Sequence, residues 1–266
     1  MDTLVEYAGP NDTGGSYARL RLNSPHNRNA LSTTLVNQLR QGLRDAAADS
    51  AVRAVVLGHT GGTFCAGGDL SEAGGGDPFD IAAARARELT ALLRAIIESP
   101  LPVIAAIDGH VRAGGLGLVG ACDIAVAGPR STFALTEARI GVAPAIISLT
   151  LLPKMSARAA ARYYLTGETF DAAEAAAIGL ITMAADDIEA AVTSLLADVR
   201  RGSPQGLAAS KALTTAAVLA GFDRDAERLS VDSARLFVSD EAREGMLAFL
   251  QKRPPRWTQP EGEEPA

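Results

Sequence analysis

The sequence predicts an α/β fold that ends in a wholly helical region. Three observations predict it. Strand, turn and helix patterns alternate from the N-terminus to about residue 185. Strand signals stop near Ile188, and only helical periodicity follows. The chain is 47% hydrophobic but only 5% aromatic, so alanine, glycine, valine and leucine must fill the interior by close backbone packing.

Residues 17–22 alternate, with Ala18, Leu20 and Leu22 on one face and Arg19 and Arg21 on the other, as in a half-buried strand. Ser32 reads as an N-cap before the helical set Leu35, Val36, Leu39 and Leu43. Residues 51–57 form an apolar strand running into His59-Thr60-Gly61-Gly62. Glycines 74–76 make a loop, and Pro78 opens a long helix ending near Ser99. Residues 102–107 are a strand. A glycine-rich short helix follows, then strands over 123–127 and 132–135. The tail carries helices over 187–200, 204–219, 223–237 and 240–250. Met246, Phe249 and Leu250 form an apolar patch there, suited to the protein's own core or to a neighbouring subunit. Pro254-Pro255 stops the last helix.

With 266 residues the chain can bury a full core. Its formal charge of −6 and its lack of a dense basic patch argue against a nucleic-acid partner. No apolar run approaches the ~20 residues that span a bilayer, and the acidic, polar start is unlike a signal peptide. Cys65 and Cys122 have neither zinc-site spacing nor a disulfide framework; they read as buried small hydrophobes, with no metal site and a cytoplasmic setting.

The segment Gly114-Gly115-Leu116-Gly117-Leu118-Val119-Gly120 contains the letters of a dinucleotide fingerprint. Its context does not fit. Five residues, Gly109 to Ala113, separate it from the preceding strand, and Pro129-Arg130-Ser131 interrupts the expected βαβ unit. A better reading starts from backbone donors. Helix-start amides lack internal partners and can hold an oxygen that becomes negative. Two strand-to-helix glycine turns, Gly67-Gly68 and Gly114-Gly115, are candidates. No G-x-S-x-G elbow is present, and Cys65 has no evident histidine and acid partners. His26, His59 and His110 read first as structural, with His110 the most interesting because it lies two residues from Arg112.

Several motifs in order resemble the enoyl-CoA hydratase/isomerase, or crotonase, family over about residues 12–257. They are Asn29-Ala30-Leu31; Phe64-Cys65-Ala66-Gly67-Gly68-Asp69-Leu70; Asp108-Gly109 through Gly114-Gly115, closed by Cys122-Asp123-Ile124; Phe133-Ala134-Leu135-Thr136-Glu137; Gly141-Val142-Ala143-Pro144; Leu165-Thr166-Gly167-Glu168; and Ala176-Ala177-Ile178-Gly179-Leu180. The resemblance implies a crotonase-like spiral of ββα units over 1–187, a helical trimerisation region over 188–257 and a flexible acidic tail over 258–266. It implies an acyl-CoA substrate, with CoA as thioester carrier and no permanently bound cofactor. It also implies a homotrimer or a dimer of trimers.

Carried over residue by residue, the thioester oxygen would be held by the amides of Gly68 and Gly114, with Glu137 as catalytic acid/base and Asp69 fixing its loop. The family's hydratases commonly place a second glutamate three residues after the second donor; that position here is Gly117. CoA phosphates need cations, for which Arg28, Lys252 and Arg253 are candidates. Ala30, Ala66 and Gly68 would line the carrier. The loop 71–77 would admit the acyl group.

Hydration of a 2-enoyl-CoA is the first expectation. Gly115-Leu116-Gly117-Leu118 and Pro144-Ala145-Ile146-Ile147-Ser148 look like a bacterial branch that includes methylglutaconyl-CoA and other branched-enoyl hydratases. If Arg112 or His110 faced the acyl pocket, a terminal carboxylate on the substrate would fit. The alternatives are isomerisation of a 3-enoyl-CoA by a single glutamate, another lyase or hydrolase reaction through the same enolate, and acyl-CoA binding without turnover.

Overall fold

The computed structural model describes residues 2–69, 72 and 75–258. The expected acidic tail, apart from Thr258, and most of the expected admission loop's first half lie outside those residues. The chain opens with β1 (Val5–Ala8), the single-turn helix α1 (Pro10–Thr13), β2 (Tyr17–Leu22) and α2 (Thr33–Ala48). Three rounds of strand pairs then follow. The first is β3 (Ala54–His59), β4 (Thr63–Cys65) and α3 (Pro78–Glu98). The second is β5 (Val103–Ile107), β6 (His110–Arg112) and α4 (Gly114–Ala121). The third is β7 (Ile124–Ala127) and β8 (Thr132–Ala134), a 3-10 turn over Glu137–Ile140, and helices α5 (Ser148–Leu151) and α6 (Ala157–Thr166). Then come β9 (Phe170–Asp171), α7 (Ala172–Ala177), β10 (Met183–Ala184), α8 (Ile188–Arg201), α9 (Pro204–Phe237) and α10 (Asp240–Leu250).

Each round sends its first strand into one sheet and its second into another. The large sheet runs β1-β2-β3-β5-β7-β10 and the small one β4-β6-β8-β9. From β2 to β10 the large sheet is parallel, and β4, β6 and β8 are parallel in the small one. This is the spiral of ββα units expected from the family resemblance.

Parallel strands covered on both faces read as continuous apolar runs, and their alternation assigns residues to two cores. Val55, Leu57, Val103 and Ala105 face the main core. Val56, Ile104 and Val126 face the other way and are covered by α8 through Val192, Ile188 and Leu195. In α3, Leu92, Leu93, Ile96 and Ile97 recur at helical spacing and are all buried; burying each contributes roughly 1.5–3 kcal/mol.

Boundary differences are small, with one exception. The strand expected over 51–57 is Ala54–His59. The helices expected over 204–219 and 223–237 are one helix, α9. Gly221 lies between the two expected ranges, but a helical glycine costs only about 1 kcal/mol, and fully buried Phe222 anchors the helix at that point. Strands β1, β4, β6, β9 and β10, of two to four residues, were not among the expected strands. Among the described residues, no helix is long and apolar enough to cross a membrane.

Candidate active site

Strands β4, β6 and β8 are neighbours that run the same way, so their C-terminal ends share one edge. β4 ends at Cys65, β6 at Arg112 and β8 at Ala134. Gly67-Gly68, Gly114 and Glu137 each follow within three residues. Topology thus brings the three together although they are scattered through the sequence. The carboxyl edge of parallel strands is where ligands bind in open α/β sheets.

The first turn is tied to the segment before α2. Leu31 and Gly68 form a parallel bridge, in which Leu31 N–H donates to the Gly67 carbonyl (2.7 Å) and Asp69 N–H donates to Leu31 (3.2 Å). In such a bridge the flanking residues make both bonds, so the Gly68 N–H is left pointing away. The Ala66 N–H donates to the Arg28 carbonyl (3.1 Å), and Asn27 donates to the Asp69 carboxylate (3.1 Å). Buried Asn29 donates to the Thr60 and Thr63 carbonyls, at 3.0 and 2.8 Å.

The second turn begins α4. Its N-cap, Ala113, has φ 46° and ψ −121°, a costly conformation for a residue with a Cβ. That twist starts the helix abruptly and leaves the Gly114 N–H without an intrahelical partner. The two turns touch. A Cβ placed on Gly114 would stand 3.7 Å from the Gly68 nitrogen, and one on Gly67 would stand 3.3 Å from the Gly114 nitrogen and 2.8 Å from the Ala113 Cβ. Neither donor amide has an acceptor among the described residues.

Close packing also explains the fingerprint-like glycines. A Cβ on Gly115 would lie 2.7 Å from the Cys65 carbonyl oxygen, and one on Gly120 would lie 2.9 Å from Thr150 Oγ1. At Gly117 it would meet Ile147 Cγ2 at 2.5 Å and Leu93 Cδ1 at 3.3 Å. The family's other carboxylate position is therefore filled by apolar side chains from outside α4.

Glu137 opens the 3-10 turn after β8 and is 8% exposed. Oε2 is buried with no hydrogen-bond partner. Burial pushes the carboxyl up to about 7. The turn is braced from two sides. Arg139 donates to the Thr166 carbonyl at the end of α6 (2.8 and 3.1 Å). Helix α10 lies so close that a Cβ on Gly141 would be 2.6 Å from the Glu241 carbonyl, and one on Gly245 would be 2.5 Å from Ile140.

The other expected residues fall as follows. Arg28 and Lys252 are exposed, with no side-chain hydrogen bond or ion pair among the described residues. Ala30 is buried, with its carbonyl turned to the Ser32 N–H (2.9 Å), and Ala66 is half-buried. Arg253 is not a spare cation. It grips Glu244 with two bonds, at 2.6 and 2.9 Å, which together with the Arg256 N–H hold that carboxyl down at about 2. Arg112 and His110 both bond to Thr132 Oγ1, at 2.9 and 2.8 Å, and Arg112 also donates to the Val111 and Thr132 carbonyls. Glu72 accepts from the Thr33 N–H at the start of α2. Burial pushes the Cys65 thiol up to about 12, which removes it as a nucleophile. Sequence reasoning missed Ile147 filling the Gly117 position and Tyr164, whose hydroxyl lies 3.3 Å from Ser148 Oγ.

Two unpartnered amides that meet across touching turns, with one buried carboxyl at the same sheet edge, are a constellation suited to holding a carbonyl oxygen and moving a proton. The chain belongs to the enoyl-CoA hydratase/isomerase family, whose model matches residues 12–260. It is an enzyme of CoA-thioester chemistry. The crystal structure of an enoyl-CoA hydratase from Mycobacterium avium is 77% identical, covers 97% of this chain and 100% of its own, and superposes with a TM-score of 0.92. An enoyl-CoA hydratase structure from Shewanella pealeana is 31% identical over 96% of both chains, with a TM-score of 0.73. The mitochondrial methylglutaconyl-CoA hydratase of Rattus norvegicus is 30% identical over 247 residues, which is 90% of this chain and 78% of the relative. The methylglutaconyl-CoA hydratase matches at 30% identity, well below the 77% of the Mycobacterium avium enoyl-CoA hydratase, so the similarity does not single out the methylglutaconyl branch.

Proposed function

We propose that the protein is an enoyl-CoA hydratase in which Gly68 and Gly114 donate to the thioester oxygen and Glu137 moves the proton. The observation that carries this reading is the convergence of two unpartnered amides and a buried, near-neutral carboxyl at one sheet edge. The steps balance with a single carboxyl. Ionised Glu137 takes a proton from water as the water oxygen bonds to C3. The π electrons of the C2=C3 bond move through to the thioester oxygen, where the two amides stabilise the charge. When the enolate collapses, C2 takes the proton from Glu137, which returns to its ionised form. A carboxyl near 7 both accepts and returns a proton at neutral pH. CoA enters and leaves with the acyl group, and no other cofactor is required.

Arg28 and Lys252 meet the CoA phosphates in this reading, and Ala30, Ala66 and Gly68 line the carrier. The substrate's acyl group is branched, supported by the rat relative and by the apolar filling beside Gly117. A methylglutaconyl carboxylate has less support, because Arg112 and His110 are engaged by Thr132. The region 188–257 is an assembly surface for a trimer or dimer of trimers: Leu213, Phe249 and Leu250 are exposed there. Two buried free thiols fit a cytoplasmic setting.

One observation favours a second reading. With Ile147 in place of a second carboxylate, Glu137 alone would suit proton transfer from C2 to C4 of a 3-enoyl-CoA. Product analysis in 18O-labelled water with 2-enoyl, 3-enoyl and methylglutaconyl-CoA substrates decides between them. Hydration gives a labelled 3-hydroxyacyl product. Double-bond migration without label would overturn the hydratase reading.

A further inference from the structure

Hydration with one carboxyl leaves a geometric problem. Glu137 can accept one hydrogen of the attacking water, but one contact does not fix the direction of the lone pair that attacks C3. The position that supplies a second acceptor elsewhere in the family is closed here, because Ile147 and Leu93 occupy the space beside Gly117. The segment that closes it continues directly into Ser148, at the start of α5.

Ser148 Oγ donates its only hydrogen to the Pro144 carbonyl (2.7 Å). The 3.3 Å contact between Ser148 Oγ and the Tyr164 hydroxyl must then be a bond donated by the tyrosine. This commits the Tyr164 proton to Ser148 and leaves the phenolic lone pairs as acceptors. Tyr164 lies on the last turn of α6, which Arg139 fastens to the Glu137 turn through the Thr166 carbonyl. It is half-buried against the main core. Burial pushes its hydroxyl up to about 12, with the Ser148 hydrogen bond opposing the shift and the Glu137 charge adding a smaller push, so it stays a neutral phenol at working pH.

We propose that Tyr164, oriented by Ser148, is the second acceptor for the attacking water and replaces the carboxylate that Gly117 cannot carry. Water then gives one hydrogen bond to Tyr164 Oη and one to Glu137, and its lone pair faces C3. Ser148 is a positioning residue that acts through Tyr164. This rests on the hydratase reading, and the test separates the two.

The experiment compares hydration of but-2-enoyl-CoA with exchange of the C2 protons of butanoyl-CoA in D2O. Exchange needs Glu137 and the amide donors but no attacking water. Tyr164→Phe is expected to lower kcat/KM for hydration about tenfold to a hundredfold, the effect of one strong hydrogen bond. Exchange is expected to stay within about twofold of the parent. Ser148→Ala should show part of the same selective loss and Ser148→Thr should recover it; this pair carries the comparison if Tyr164→Phe does not fold. Unchanged hydration in the variants, or exchange falling in step with hydration, would overturn the assignment. A parent enzyme that exchanges C2 protons but hydrates no 2-enoyl-CoA would instead overturn the hydratase reading, and this assignment with it.

Discussion

Glu137, the proposed acid/base, links stability to pH through its burial. Its carboxyl lies near 7 because burial disfavours the charge. Between about 4.5 and 7 the unfolded chain has released this proton and the folded chain has not, so rising pH lowers stability across that window. The loss reaches about 3 kcal/mol above pH 7. Glu137→Gln should therefore raise the urea midpoint at pH 8, with the gain shrinking towards pH 4. The same variant should lose roughly a hundredfold or more in turnover. A parent-like midpoint at pH 8 would mean that the carboxyl is not held up. The kcat/KM for hydration should rise with pH to a plateau above about 7, as the base form of Glu137 accumulates. Arg28→Ala should raise KM for CoA thioesters and leave kcat unchanged; an altered kcat with unchanged KM would remove Arg28 from the phosphate site.

Helix α4 carries its meaning in what its glycines leave out. Gly115, Gly117 and Gly120 let the helix press against Cys65, Ile147 and Thr150, and so hold the Gly114 amide beside Gly68. Gly117→Glu should not supply the absent carboxylate. Its first carbon would collide with Ile147, and overpacking of this kind costs about 1–3 kcal/mol. A gain in hydration by Gly117→Glu, read with a melting curve, would show that the space opens. Helix α10 acts on the site from the other side. Gly245→Ala would drive a methyl into Ile140 and displace the Glu137 turn. Activity should fall more than stability, and the reverse order would assign α10 a purely structural role. The expected helices 204–219 and 223–237 merged for a comparable reason, since packing around Phe222 outweighs a glycine's local preference.

Across the whole molecule, one buried cation ties the helical region to the spiral. Lys211 of α9 pairs with Asp123 (2.8 Å) and donates to the Ile96 and Leu101 carbonyls, both at 2.9 Å. Burial pushes its ammonium pKa down, with Asp123 opposing that shift. Removing one member of such a pair leaves the other uncompensated, so Lys211→Ala should cost about 3–5 kcal/mol by urea denaturation. A cost below about 1 kcal/mol would place the pair in the range of exposed ones. Phe249→Glu with Leu250→Glu should lower the sedimenting mass if the α10 face is an assembly surface; an unchanged mass would exclude it.

The linear sequence carried the α/β class, the long apolar strands and the family motifs, because each is a local pattern of period, cap or spacing. It also placed both glycine turns and Glu137, which lie within those motifs. It did not show β4 and β6, of three residues each, although those strands bring the turns to one edge. Nor could it show that Ile147 fills the space beside Gly117, that Arg253 is held by Glu244, or that Tyr164 meets Ser148. These contacts join residues 9 to 30 positions apart, and only packing selects them. The sequence therefore determined which groups the proposed site contains. The tertiary structure decided which are unpartnered, which are buried enough to hold a proton near neutral pH, and which space a second carboxylate cannot enter.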